Sequence, residues 1–310
     1  MREFSETELL LELEPVVAGE LDRHHKVAKE WFPHEYVPWS EGRNYDGLYG
    51  GDAWVETDTK IPEEARISLI VNLLTEDNLP SYHHEIATTL GRDAAWGTWV
   101  HRWTAEEGRH GTAIRDYLTV TRAVDPVELE RARMVHMSEG FTNSYEGVLA
   151  SVAYVSFQEL ATRISHRNTG KASEDPNCER LLARIAADEN LHMLFYRNLL
   201  NAAFQLAPDQ TMRAVTDVVT TFQMPGTGIE GFTRKAMTIA NAGIYDLRLH
   251  IDDVLQPVLR QWDVFNMKNL GAEGEKAREE LSDFLGKLET TASRFVERRE
   301  ARRARQAAGA

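Results

Sequence analysis

RWTAEEGRHG (residues 102–111) and IAADENLHMLF (185–195) are the stretches that decide the fold. Each contains a Glu-x-x-His: Glu107 with His110, and Glu189 with His192. A lone Glu76 lies 31 residues before Glu107, and a lone Glu159 lies 30 before Glu189, so the whole pattern occurs twice. Residues three apart share a helix face, so each Glu–His pair addresses one point in space. Four carboxylates and two imidazoles in two matched halves are the ligand set of a four-helix bundle that holds two iron or manganese ions. Carboxylate–imidazole ligation suits these metals better than thiolate-seeking ones. With 11 histidines in a Glu-rich chain, a single Glu-x-x-His arises about once by chance. Two copies offset by 83 and 82 residues do not arise from solvated charge patterning.

Working outward, helical patterning dominates. Helix-favouring stretches run over 6–31, 62–90, 94–121, 126–139, 145–166, 175–204, 208–222, 231–262 and 273–306. Pro62, Pro126 and Pro208 sit where a first helical turn begins. The segments GRD, AVDP, RNTGKASEDPN and QMPGTGIEG read as breakers. No stretch alternates like a strand with hairpin signals. The expectation is an all-α fold, a four-helix bundle core with additional helices packed outside it. It forms one domain over residues 1–285, with a basic helical tail over 286–310. The loop 32–59, with Gly42, Gly47, Gly50 and Gly51, reads as a surface covering.

Neighbours of the ligand set read as supports. Pro80, four residues after Glu76, lacks the N–H that would bond the Glu76 carbonyl, so the helix should break or bulge there. Metal-bound histidines usually donate their second N–H to a carboxylate. Asp188 is therefore paired with His110, and Glu106 with His192, across the bundle. Thr162, one turn after Glu159, either orients oxygen at the centre or bonds its own backbone.

The net charge of −14 excludes a basic nucleic-acid-binding face as the organising feature. The tail holds Lys287 and six arginines against three glutamates, which is +4 and leaves −18 for residues 1–285. The N-terminus lacks a signal-peptide apolar core, and no apolar run is long enough to span a membrane. The single cysteine, Cys178, rules out an internal disulfide and an all-cysteine cluster, and fits a cytoplasmic protein.

Longer strings extend the pattern: LLTEDNLPSYH (73–83), VSFQELATRISHRNTG (155–170), and more weakly WFPHEYVP (31–38), QMP (223–225) and RQWDVFNMKNLGAEGEKA (260–277). Together these resemble the soluble acyl-(acyl-carrier-protein) desaturases of plants and actinobacteria over roughly residues 10–285. The resemblance implies a ferritin-like, homodimeric di-iron enzyme. Such an enzyme uses O2 and a ferredoxin-type donor to place a cis double bond in an acyl chain carried as an acyl-carrier-protein thioester. By position, Glu76, Glu107, His110, Glu159, Glu189 and His192 match the iron ligands and Thr162 the oxygen-pocket threonine. Trp31, Asp188 and His110 match a hydrogen-bonded chain associated with electron entry. Gly108 stands where the family has asparagine, and DENLH replaces DEKRH, so Leu191 takes the place of an arginine.

The target bond is an unactivated C–H, so the chemistry belongs to a redox cofactor and the protein positions and tunes it. The acyl carrier protein is acidic, so its docking requires a local basic patch. Arg23, Lys26 and Lys29, and the Arg-rich tail, are the candidates. Three other readings share the motif: a di-iron hydroxylase, iron storage, and a carrier-binding protein without catalysis.

Overall fold

The computed structural model describes residues 2–142 and 144–308, and among them there is no strand, only an isolated bridge between Tyr45 and Asp52. Helix α1 (Glu6–Val27) opens with a Ser5–Glu8 capping box and closes with His24, His25 and Lys26 at its negative end. The chain leaves helical geometry at Ala28 (ψ 129°), earlier than the pattern predicts, and this swings Trp31 off the helix axis and into the interior.

Helices α2 (Glu63–Asp77) and α3 (Leu79–Leu90) are the single helix expected over 62–90, interrupted where Pro80 requires it. Asn78 carries the break at ψ 10°, and its N–H donates to the Thr75 carbonyl at 3.2 Å. Glu76 thus lies in the last turn of α2, beside a backbone discontinuity. After α4 (Ala94–Val120) and α5 (Pro126–Glu139), helix α6 runs over Val148–Ala172, starting after Gly147 at φ 85°. The sequence RNTG does not end it. A Cβ on Gly170 would meet the Glu179 Cα at 3.1 Å, so this glycine is the point where α6 and α7 (Pro176–Leu206) approach closely.

Next come α8 (Pro208–Thr221) and α9 (Phe232–Ala242). The helix expected over 231–262 is in pieces. Gly243 terminates α9 in the left-handed region at φ 82°. A short α10 (Leu247–Leu249), a π-helical stretch (His250–Leu255) and α11 (Gln256–Trp262) follow. Helix α12 (Ala272–Ala308) is continuous through residue 286, so the basic tail is the distal half of one helix. Arg248 bonds Glu289 at 2.8 Å and Ser293 at 2.9 Å, and Arg299 pairs with Asp246, docking that half on α9 and α10.

Helices α2, α4, α6 and α7 pack around one axis, with α1 laid across α4 and α7, α8 against α6, and α9 against α2. Fully buried Trp99, Phe157, Phe195, Tyr196 and Phe204 fill one end, and Ile114, Tyr117, Leu118 and Leu181 the other. The polar cluster lies between these two apolar plugs. The loop 32–59 is pinned by buried Arg122, which donates to Asp58 at 2.8 Å and to the carbonyls of Asp52 and Ala53. Among the described residues no helix is long and apolar enough to cross a membrane.

Candidate metal centre

Each of the four core helices delivers one carboxylate to the same interior point. Glu76 (α2), Glu107 and His110 (α4), Glu159 (α6), and Glu189 and His192 (α7) are all buried, the two imidazoles completely. They form two overlapping groups: Glu76, Glu107, His110 and Glu189, and Glu107, Glu159, Glu189 and His192, each with one atom per residue within 4.8 Å of the others. Glu107 and Glu189 belong to both.

Their oxygens divide accordingly. Glu107 Oε2 lies 3.2 Å from His110 Nδ1, and Oε1 lies 2.8 Å from His192 Nδ1. Glu189 Oε1 lies 3.4 Å from His110 Nδ1, and Oε2 lies 3.8 Å from His192 Nδ1. Glu76 Oε2 approaches only His110 Nδ1 (3.8 Å), and Glu159 Oε2 only His192 Nδ1 (3.6 Å). Glu107 and Glu189 would thus lie between two bound ions, with Glu76 and Glu159 as terminal ligands. Glu107 Oε1, Glu159 Oε2 and His192 Nδ1 are buried and converge without a well-aligned hydrogen bond. Unpaired buried polar atoms are costly, and cations between them would satisfy all three. The donor set therefore fits two divalent metal ions.

Outside this set, each imidazole is held from behind. His110 Nε2 faces Asp188 Oδ2 at 3.5 Å, and His192 Nε2 faces Glu106 Oε2 at 2.8 Å. Donation from Nε2 leaves both Nδ1 atoms free for the centre. The two outer acids are themselves supported. Trp31 Nε1–H donates to Asp188 at 2.7 Å, and buried His24 lies 3.0 Å from Glu106. Arg184 and Arg109 add charge at Asp188, and Arg102 at Glu106. Burial alone would raise the Asp188 carboxyl, but bonds from His110 and Trp31 and the Arg184 charge hold it down at about 2. Burial would likewise raise Glu106, and His192 and His24 depress it well below the carboxylate range.

The terminal carboxylates have unlike supports. Glu159 Oε1 accepts from Trp103 Nε1–H at 2.9 Å, and Glu76 Oε1 faces His166 Nε2 at 3.0 Å. Buried Asn72 orients His166 from its other nitrogen (3.3 Å). Gly111 explains the glycine of RHG: a Cβ there would meet Asp77 Oδ1 at 3.1 Å and Glu76 Cβ at 3.5 Å, where α4 passes the break after α2. Gly108 has only Leu79 Cδ2 nearby, at 3.8 Å, so no packing demand keeps the family asparagine.

The structure thus gathers all six expected ligands, with Asp188, Glu106 and Trp31 behind them. Thr162 faces the centre's cavity, and its hydroxyl donates to the carbonyls of Glu159 (3.0 Å) and Gln158 (3.2 Å), the backbone-bonded alternative. Arg23 is paired with Glu20 at 2.5 Å, while Lys26 and Lys29 are exposed on the surface near Trp31. His24, His166 and Trp103 are functional contacts the sequence reading missed. His166 lies seven residues after Glu159 and Trp103 four before Glu107, both on the ligand face. Nothing in the sequence marks His24.

Beside the carboxylates runs a slim, mostly apolar cavity of about 60 Å³ between α3 and α6. Leu79, Ile86, Leu90, Val152 and Val155 line it, together with Glu76, Glu107, Glu159 and Glu189. A second cavity of about 80 Å³ shares Thr75, Glu76 and Thr162 and continues toward Phe232, Ile239 and Tyr245. Side by side along that shared wall, the two cavities make up an interrupted apolar slot beside the ligand carboxylates.

Four helices that carry four carboxylates and two imidazoles to a buried point define the ferritin-like carboxylate bundle, here one adapted to an oxidoreductase. The chain belongs to the fatty acid desaturase family, whose sequence profile matches residues 5–309. It is 51% identical over 299 residues to the protein of Mycobacterium tuberculosis named acyl-[acyl-carrier-protein] desaturase DesA1, covering 94% of this chain and 88% of that one. It is 31% identical over 299 residues to the chloroplastic stearoyl-[acyl-carrier-protein] 9-desaturase 5 of Oryza sativa subsp. japonica (89% and 74% covered). The crystal structure of the acyl-ACP desaturase DesA2 from M. tuberculosis H37Rv superposes with a TM-score of 0.73 at 29% identity, covering 89% of this chain and 98% of that one.

Proposed function

We propose that this chain is an acyl-[acyl-carrier-protein] desaturase that uses two iron ions at Glu76, Glu107, His110, Glu159, Glu189 and His192. The single observation that carries the reading is the apolar slot running directly past the ligand carboxylates. An apolar lining of that kind suits an alkyl chain, and its position would set methylene carbons against the centre. The stoichiometry is one saturated acyl chain, one O2, two electrons and two protons giving one alkene and two waters. When bound, the metal pair supplies the dioxygen chemistry, which no side chain here can perform. The protein's part is positioning and electrostatics. Asp188 and Glu106 keep the imidazole Nε2–H atoms engaged, so Nδ1 points inward. The slot walls fix the chain and exclude water. The Thr162 proton is committed to backbone carbonyls, so toward the slot its oxygen can only accept.

The electron donor in this reading is ferredoxin-like, the protein is a homodimer, and its compartment is the cytoplasm, where a lone buried thiol stays reduced. The test is anaerobic iron loading, addition of a reductase and ferredoxin, then O2, with mass spectrometry of acyl-carrier substrates of several lengths. A dioxygen-dependent alkene is expected. No oxygen-dependent product across the panel refutes the reading, and an alcohol moves the chemistry to hydroxylation.

A further inference from the structure

The distal half of α12 grips α9, and α9 walls the second cavity. Phe232, Ala236 and Ile239 of α9, with Tyr245 just beyond it, line that cavity together with Glu76 of α2 and Thr162 of α6. Yet α9 is weakly held. It has 11 residues, of which only Ile239 is buried. A helix of that length is marginal without tertiary support. Left-handed glycines bound it, Gly231 at φ 68° and Gly243 at φ 82°, and no side chain caps its N-terminus.

Its C-terminus is capped from another helix. The last carbonyls of a helix lack intrahelical partners and carry its negative end. Arg299 Nη1–H donates to the Ala240 carbonyl at 2.9 Å, and Arg303 Nη2–H to the Asn241 carbonyl at 2.6 Å. Arg299 also pairs with buried Asp246, whose other oxygen accepts from Leu249 N–H at 2.9 Å. Asp246 follows Tyr245, so this contact fixes a further part of the cavity's lining. Arg299 and Arg303 stand one turn apart, so a single face of α12 holds both α9 and the turn into α10. Neither arginine lines the cavity, so both act on it through α9.

We infer that α9 is a hinged wall of the second cavity, latched by Arg299 and Arg303, and that the latch governs what enters there. That the entering group is an acyl chain rests on the desaturase reading; the latch itself does not. Two readouts on the full chain test it: amide hydrogen exchange of α9, and N-ethylmaleimide alkylation of a thiol placed in the wall by I239C. Buried Cys178 reports global opening in the same samples. In the I239C background, R299Q/R303Q should speed alkylation and α9 exchange about tenfold, with α4, α7 and Cys178 within about twofold of the parent. R299K/R303K should restore most of the protection, because lysine still offers a charged donor to helix-end carbonyls. R298Q/R302Q removes the same charge from exposed positions and should leave α9 as protected as in the parent. D246N keeps an oxygen for Leu249 N–H but loses the charge facing Arg299. It should act like R299Q/R303Q by a smaller factor, and it decides the matter if the double variant does not fold. With iron-loaded protein, R299Q/R303Q should also narrow the kcat/KM preference for straight over methyl-branched acyl-carrier thioesters, at unchanged metal affinity in chelator competition. Unchanged alkylation and exchange in R299Q/R303Q and D246N, equal acceleration in R298Q/R302Q, or acceleration shared by Cys178 and α4 would each overturn the latch. Faster opening with unchanged discrimination between chains would overturn its role in access. Wild type making no alkene would sink the desaturase reading, and exchange and alkylation would still decide the latch.

Discussion

Replacing Trp103 by Phe removes one hydrogen-bond donor from a buried carboxylate and little else that is polar. Trp103 Nε1–H reaches Glu159 Oε1 at 2.9 Å, with both residues buried. Among the described residues the other Glu159 oxygen has no aligned hydrogen-bond partner, with His192 Nδ1 3.6 Å away, so the indole N–H is the carboxylate's principal donor. Hydrogen bonds to charged groups contribute about 1.5–3 kcal/mol, and an orphaned buried acceptor costs about as much. The lost ring volume adds a packing penalty, so the single variant overstates the bond. A double-mutant cycle with Glu159→Gln isolates the pairwise part, because the amide lacks the charge that the indole serves. The expected coupling is about 1–2 kcal/mol by chemical denaturation of the metal-free protein. Support from outside the ligand set typically alters metal affinity about 10–100-fold. Chelator competition with iron(II) should therefore show W103F binding its weaker-held ion at least tenfold less tightly. Coupling below about 0.5 kcal/mol together with metal affinity within twofold of wild type would refute the argument that Trp103 tunes the Glu159 arm.

Other outcomes follow from the same geometry. In the metal-free protein the carboxylates outweigh burial and raise His110 and His192 well above 6.5, so a cation must displace protons from Nδ1. Metal binding should release protons and weaken as pH falls, and calorimetry in buffers of different ionisation enthalpy would contradict this if it showed no release. The same shifts mean that the metal-free protein gains stability from these imidazoles below pH 6.5 and loses it as pH climbs through their raised values. Asp188, depressed to about 2 from 3.8, works in the opposite sense: its contribution is present above pH 3.8 and fades toward pH 2. Val152→Phe should block the slot, shortening the accepted acyl chain while leaving iron content at wild-type level. Unchanged chain-length preference would remove Val152 from the slot wall. Gly108→Ala should stabilise the fold by about 0.5–1 kcal/mol, since helical glycine is penalised and the site is open. Gly111→Ala should cost stability and metal affinity, because its methyl group presses on the Asp77 carboxylate next to Glu76. Equal behaviour of the two alanine variants would show that the α4 approach to the helix break is not tight.

The ligand set was legible because its logic is local. Spacing of three on a helix forces Glu107 with His110, and Glu189 with His192, onto shared faces before any tertiary structure is known. The outer acids were legible for the same reason, each preceding a ligand by one residue. Pro80 announced the break after Glu76 through its missing N–H. What stayed hidden depends on how helices rotate against one another. His24 meets Glu106 across 82 residues of sequence, and Trp103 meets Glu159 across 56. No periodicity encodes such meetings. RNTG misled because a glycine that lets two helices touch is spelled like one that ends a helix, and Gly170 is the former. Gly243 is the latter, hidden inside a pattern that otherwise reads as helix through Trp262.

The two halves match in their ligands and differ in what holds them, and the difference has a direction. Glu159 sits mid-helix on α6 and is bonded by an indole that can only donate. Glu76 sits in the last turn of α2, beside a break, and meets an imidazole that can donate or accept. A carboxylate on continuous helix with an obligate donor is confined to one orientation. One at a helix end, with an adaptable partner, can turn at little cost. The two cavities adjoin at Thr75, Glu76 and Thr162, so the freer carboxylate is also the one that borders both of them. The asymmetry places adaptability on the wall shared by the two cavities and rigidity on the wall of the first alone. A sequence repeat that is symmetric in its ligands thus gives a centre with one fixed side and one yielding side.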